Sequence, residues 1–403
     1  MSNDTVIHPF TNQFLSQFTF APEVMPYSDQ EIDILDKELT TFEQTYLNPE
    51  VEKNLISKNE LLASFAISKA ENSELTLKEA EDVYDWLISN PDYDFIAAKL
   101  NNNEELIQKD YDKLEFFNIA KTFREYNEQI FSMEKLTPEF ILELHRHLTQ
   151  GMDVFNRFLK DFTVYKSGTF RDNDEIRVGS YIPAPFNQIK TGIQELINWL
   201  QLHRTPTAVA EFHTALYALH PFNNGNKRVC RILEHIILRG IGLNQKNLYS
   251  TAYYAHIEKK RYYKYLLFSL ERQNFNHFVN FSLEALVVSM MSVIKTSVEV
   301  KRDQYLNSLN VTENIKNIAK PLIKRREIQF KNLIKMSGQK MARQTFVDNL
   351  AKAIEIKALA KRDVGRNTYY SIPIQIPELE TYDSWLNAAR KKLSYIPNDL
   401  LRL

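Results

Sequence analysis

The chain has 403 residues, 44% of them hydrophobic, which is ample for burial and, at roughly 100–200 residues per domain, suggests two or three domains. Its 50 Lys+Arg against 51 Asp+Glu exclude a global charge attraction to nucleic acid or membrane, and its one cysteine, Cys230, excludes an internal disulfide and suits a reducing cytoplasm. Nine glycines among long Leu/Ile/Lys/Glu-rich segments argue for a mainly helical protein. The start of the chain lacks the basic-then-apolar order of a signal peptide. No segment reaches roughly 18 uninterrupted apolar residues, residues 281–294 coming nearest, so no membrane contact is expected.

Residues 1–30 are irregular, punctuated by Pro9, Pro22 and Pro26. From Asp29 the apolar positions Ile32, Leu35, Leu39, Phe42 and Tyr46 follow a helical period. Residues 58–70 form another helix, with Leu61, Leu62, Phe65 and Ala66 on one face, and Thr76 with Glu79 has the spacing of a capping box. Helices follow at 111–132 and 137–150, the second opening with Thr-Pro-Glu. Residues 169–185 alternate after an Asn/Asp turn and predict a small hairpin or flap. Helices resume at 186–203, 208–220 and 229–239, the last capped by Gly240.

Beyond residue 300 the composition turns basic, with 16 Lys/Arg against 6 Asp/Glu between 301 and 370. The order there is helix (313–325), helix (328–335), a turn at Ser337-Gly338, helix (343–355), strand (357–362), a turn at 364–367, and strand (368–372). Three helices and a hairpin in that order predict a winged helix-turn-helix. The third helix offers Arg343, Gln344 and Asn349 for reading bases, and the sequence leaves DNA and protein contacts both open.

The most informative stretch is 220–231, His-Pro-Phe-Asn-Asn-Gly-Asn-Lys-Arg-Val-Cys-Arg. Gly225 and Asn226 tolerate the positive φ of a tight turn, and such a turn feeding a helix start aims backbone N–H groups at one anion. Lys227, Arg228 and Arg231 add positive charge, the two arginines three apart and so on one helix face. His220 stands ready as a general base beside those phosphates. The combination predicts transfer chemistry on a nucleotide.

That string resembles the signature of the Fic (Fido) family, His-Pro-Phe-x-(Asp/Glu)-Gly-Asn-(Gly/Lys)-Arg, with Arg231 as the second arginine of AMP-transferring members. The likeness covers roughly residues 10–290. His145 and His147 lie in a helix like the family's, Gly168, Phe170 and Arg171 resemble the entry to its flap, and Ile176, Arg177, Val178 and Gly179 begin the flap itself. Tyr262 and Tyr263 stand where a tyrosine pair lines the adenosine pocket. Residues 67–72 resemble the inhibitory-helix motif, with Glu71 as its glutamate. The resemblance implies a Fic-type helical bundle with a hairpin flap plus the winged helix. Its domains are an N-terminal helical region (1–110, inhibitory helix about 58–72), a catalytic domain (111–295), the winged helix (305–375) and a helical tail (376–403).

By that resemblance the chain is a cytoplasmic, Mg²⁺-dependent protein adenylyltransferase moving AMP from ATP to a Ser, Thr or Tyr hydroxyl. His220 would take the hydroxyl proton, and Gly225, Asn226, Lys227, Arg228 and Arg231 would hold the phosphates. The flap would pair with the target as an added strand and close with Tyr263 on the nucleotide. Activity would fall below the histidine pKa, ordinarily about 6.5. Glu71 would pair with Arg231 and inhibit. Two positions depart from the pattern: Asn224 replaces the acidic Mg²⁺ ligand, implying weaker metal binding, and Ile67 replaces a Ser or Thr of the inhibitory motif, implying leakier inhibition. Phosphate transfer, AMP removal, and a weakened fold acting through DNA or as a scaffold remain open alternatives, as do self-modification and a homodimer.

Overall fold

The computed structural model describes residues 6–47, 49–90, 92, 94–159, 166–337 and 341–403. The first half is built from α1 (Asp29–Tyr46), α2 (Pro49–Ala70), α3 (Leu77–Ser89), α4 (Phe95–Asn101), α5 (Gln108–Asn127) and α6 (Pro138–Leu148). Then come α7 (Ile189–Leu202), α8 (Pro206–Leu219), α9 (Asn226–Gly240), α10 (Thr251–Ile257), α11 (Lys259–Glu271) and the 33-residue α12 (Asn276–Ser308). The protein is mainly helical, as composition predicts.

The helix starts follow local chemistry. Thr76 accepts the Glu79 N–H while the Glu79 carboxylate accepts the Thr76 N–H, the reciprocal pair expected before α3. Thr137 and Thr205 cap α6 and α8, each followed by a proline that has no N–H to satisfy. By length and composition α12 could cross a membrane, but 83% of its most apolar window is buried inside the protein, which accounts for that apolarity.

The chain divides into two compact units, Met1–Lys37 with Lys53–Ser289, and Glu38–Glu52 with Met290–Leu403. The expected separation near residue 110 is therefore not a boundary: α3 and α5 share a core of Leu75, Val83, Tyr84, Phe116 and Phe117 within the first unit. At the centre of that unit α8 packs on α9, and residues 208–219 of α8 are buried throughout. A helix with no solvent face holds its ends in fixed positions, and the loop joining α8 to α9 is the motif stretch.

In the second unit α13 (Glu313–Ile323), α14 (Phe330–Ser337) and α15 (Arg343–Glu355) enclose Ile315, Ile318, Leu322, Leu333, Phe346 and Leu350. Strands β1 (Ile328–Gln329), β2 (Ala360–Val364) and β3 (Asn367–Ser371) form an antiparallel sheet in the order β1-β3-β2. Ile328 and Gln329, expected to open the second helix, instead pair with Tyr370 and Tyr369, and the helix begins at Phe330. The hairpin register, from Ala360 opposite Ser371 to Val364 opposite Asn367, places a tight turn at 365–366, while Gly338 of the expected helix turn lies outside the described residues. Helix α16 (Glu378–Lys392) supplies the helical tail.

Candidate active site

Helix α8 ends at Leu219, and His220 turns the chain with a left-handed backbone, φ +50 and ψ 62. That conformation is costly for a residue with a Cβ and needs support from its surroundings. Arg171 supplies it. Its guanidinium is buried, with Nε donating to the His220 carbonyl at 2.8 Å and Nη2 to Leu219 O at 3.2 Å and to Ala184 O, while its backbone N–H donates to Pro221 O. Asn226 closes the loop by accepting the Phe222 N–H at 3.0 Å and donating to the Phe222 carbonyl at 2.7 Å. Of the two residues expected to take positive φ, only Gly225 does, at +83; Asn226 is already helical, its side chain being the loop's clasp.

His145 on α6 braces the other side. Its Nδ1 accepts the Gly168 N–H at 3.0 Å, so the proton sits on Nε2, which donates to Asn224 O at 3.0 Å. The ring stacks on Phe222, centroids 3.8 Å apart, and burial lowers its pKa to about 4. It is a neutral, fixed strut.

The His220 imidazole lies edge-on to Tyr217, and its Nδ1 has no hydrogen-bond partner among the described residues. Burial and then the Arg171 charge lower its pKa to about 4, only partly offset by the Tyr217 backbone and Glu71. The ring is neutral at physiological pH and able to accept a proton, well below the value of about 6.5 expected for an unperturbed histidine.

Three cations crowd the start of α9, and the structure brings Glu71 to them. Glu71 Oε2 lies 3.5 Å from Lys227 Nζ and its Oε1 3.6 Å from Arg228 Nε. Burial alone would raise its pKa, but Lys227, Arg228 and Arg231 together hold it below the usual carboxylate range. The ion pair expected with Arg231 is not a direct one: that guanidinium lies 4.4 Å over the Tyr262 ring and donates to Ala66 O at 3.3 Å, acting on Glu71 only through its field.

The end of α2 is held in the same place. Ala70 O accepts from Lys227 Nζ at 3.3 Å and from the Tyr263 hydroxyl at 3.1 Å, and Lys69 O accepts from Lys259 Nζ at 3.3 Å. These are the terminal carbonyls of a helix, its negative pole. Ile67 is fully buried, so it packs where the motif's Ser or Thr would hydrogen-bond.

The flap is smaller than expected. Val178 and Tyr181 exchange two backbone hydrogen bonds, 3.0 and 3.1 Å, around Gly179 at φ +61, and no longer strand forms. Arg177 folds back onto the carbonyls of Asp174 and Ile176. Tyr262 is buried beneath Arg231 and Tyr263 touches the end of α2.

Asn224 Oδ1 accepts the Gly225 N–H at 2.7 Å, turned into its own loop. No group of three or more His, Cys, Asp or Glu side chains is arranged to hold a metal ion among the described residues. One amide oxygen, already engaged, is not a donor set for Mg²⁺, so a metal here would depend on phosphate oxygens and water.

His220, Gly225, the three cations and Glu71, all marked by the sequence, come together in the fold. The strut roles of Arg171 and His145, and the contacts of Lys259 and Glu115, depend on distant partners and carry no local signal.

The Fic/DOC family model matches residues 135–238. A probable protein adenylyltransferase of Aquifex aeolicus is 26% identical over 169 residues, 41% of this chain and 52% of that protein. The chain thus spans about half the length of this curated relative. Among solved structures, a Fic family protein from Desulfovibrio desulfuricans aligns at TM-score 0.48 and 18% identity over 87% of this chain and 99% of its own. Fic-1 from C. elegans aligns at TM-score 0.47 and 17% identity, over 66% of this chain and 71% of its own.

Proposed function

The chain is a member of the Fic/DOC family, and on that premise we propose that it transfers AMP from ATP to a hydroxyl side chain of a protein, with Glu71 holding it in check. One observation carries the reading: a neutral, buried imidazole stands beside a loop whose three cations now grip a carboxylate and a helix end. Cations gathered on a carboxylate and on terminal carbonyls form a site for anionic oxygen, and a polyphosphate presents the same chemistry.

His220 accepts the proton as the target hydroxyl oxygen bonds to the α-phosphorus of ATP. The bond from that phosphorus to its bridging oxygen breaks, and pyrophosphate leaves with its charge met by Lys227, Arg228 and Arg231. The left-handed turn at His220, held by Arg171, fixes the base before substrate arrives. Gly225 opens α9 without a side-chain cap, leaving the first N–H groups of the helix for phosphate oxygen. The two-bond turn at Val178 and Tyr181 would grow by pairing with the target's backbone. ATP and Glu71 compete for the same cations, so nucleotide binds productively when the end of α2 withdraws. Mg²⁺, where present, would help neutralise the leaving pyrophosphate; no step here depends on a protein ligand to it.

The second unit reads as a winged helix for DNA. Exposed Lys331, Lys335, Arg343 and Arg366 support contact with phosphate. Gln344 donates to Asp348 and Asn349 to Thr345 O within α15, which favours backbone binding over base reading.

The transferase is tested by incubating the Glu71→Gly protein with ATP labelled at the α-phosphate, alone and with cell lysate. Label should appear on protein and disappear when His220→Ala is added; label that survives His220→Ala refutes the assigned base.

A further inference from the structure

Glu115 belongs to no motif, yet it reaches the centre of this charge network. It is buried on α5, with its Oε1 3.3 Å from Arg228 Nη1. The same Nη1 lies 3.4 Å from Leu148 O and 3.5 Å from Met152 Sδ, both weaker partners than a carboxylate. The Nε edge of Arg228 faces Glu71 at 3.6 Å, and Nη2 lies against the motif loop, 3.3 Å from where a Cβ on Gly225 would stand. One end of the guanidinium is therefore tied to the scaffold, and the other two edges meet the loop and the carboxylate of Glu71.

We propose that Glu115 is a positioning residue that anchors Arg228 through Nη1, so that when Glu71 withdraws the Nε edge is already aimed at the incoming phosphate. The inference rests on reading the site as one for ATP. Without the anchor, Nη1 would lose its carboxylate partner and keep the weaker bonds to Leu148 O and Met152 Sδ, so the guanidinium would be held less firmly towards the vacated volume and would have to be ordered again on binding.

The charged or titratable groups facing Glu115 are Arg228 on α9, Glu71 beyond the end of α2, and Asp112 and Tyr111 on its own helix. Burial raises its pKa to about 8, with Arg228 opposing and Glu71 and Asp112 adding to the rise. The anchoring form is the ionised one, so the anchor strengthens as pH rises towards that value and weakens below it. Withdrawal of Glu71 removes one repulsion and favours ionisation, making the anchor firmest in the state that takes nucleotide.

The test is calorimetric titration of ATP into the full chain carrying Glu71→Gly, with and without Glu115→Gln, from pH about 6 to about 9. An anchor predicts that Glu115→Gln weakens ATP binding about tenfold and flattens the gain in affinity with pH that remains after ATP's own ionisation is common to both proteins. A mere counter-charge predicts the opposite sign, because removing a negative charge tightens binding of an anion, and that result overturns the proposal. Unchanged affinity and pH dependence overturn it too. If the double variant does not fold, Glu115→Gln is titrated in a Glu71→Gln background, which keeps the side-chain volume and removes the competing charge, for the same two outcomes. Affinity judges Glu115 and label transfer judges the activity: a Glu71→Gly protein that binds ATP but transfers nothing refutes only the transferase, and one that binds no ATP refutes both.

Discussion

Replacing Glu71 with glycine removes a carboxylate set among three cations. At an effective dielectric near 20, unit charges at the observed 3.5 and 3.6 Å attract by roughly 5 kcal/mol each before desolvation is counted. Burial of the carboxylate opposes that gain, so the net loss should be about 3 kcal/mol, the lower end for breaking a buried pair. Four hydrogen bonds from Arg231, Lys227, Tyr263 and Lys259 to the carbonyls of α2 survive the substitution, each contributing about 1 kcal/mol. The helix end should therefore be loosened while the fold persists. A shift of about 3 kcal/mol is roughly 150-fold in the equilibrium between closed and open arrangements, which bounds the expected rise in AMP transfer. The assay is initial rate of α-label incorporation at ATP well below saturation, where competition between Glu71 and nucleotide is fully expressed, with a thermal melt expected to fall by several degrees. A melt that falls while the rate stays at the wild-type level would refute Glu71 as the brake.

Because the His220 pKa lies near 4 in the ligand-free chain, its neutral form persists until the pH falls through that value; an NMR titration of the imidazole without nucleotide should have its midpoint near 4, and a midpoint near 6.5 would contradict the burial argument. Arg171→Lys keeps the charge but strands the Leu219 and Ala184 carbonyls, which should cost about 2–3 kcal/mol in a denaturant melt and lower transfer more than tenfold by freeing the His220 turn. Unchanged melt and rate would remove Arg171 from the account. The full chain should bind duplex DNA with strong salt dependence and little sequence preference, reduced by charge reversal at Lys331, Lys335 and Arg343; fluorescence anisotropy showing no binding even at low salt would refute the reading of the second unit.

Much of this molecule is written locally. The capping pair Thr76 and Glu79, the threonine-proline starts of α6 and α8, and the glycine at 225 act over a few residues, and sequence alone locates them. Long-range partners are different. Nothing near Glu115 marks it as a ligand of Arg228, because the pairing follows only once α5 packs on α9. Arg171 was visible as a flap residue, but its task is set by four carbonyls that the fold brings around it. Likewise β1 is two residues whose partners lie at 369–370, and a helical period in Ile328 and its neighbours masks it. The pairing of residues 38–52 with 290–403 in one unit leaves no mark in composition. The lowered pKa of His220 is equally a product of burial, which spacing does not reveal.

The central claim is that the cation-lined loop beside His220 directs AMP to a protein hydroxyl. Parallel incubations of the Glu71→Gly protein with α-labelled and γ-labelled ATP test it most directly. Protein-bound label from the α-phosphate alone is the expected result; label from the γ-phosphate, or none from either, contradicts the account.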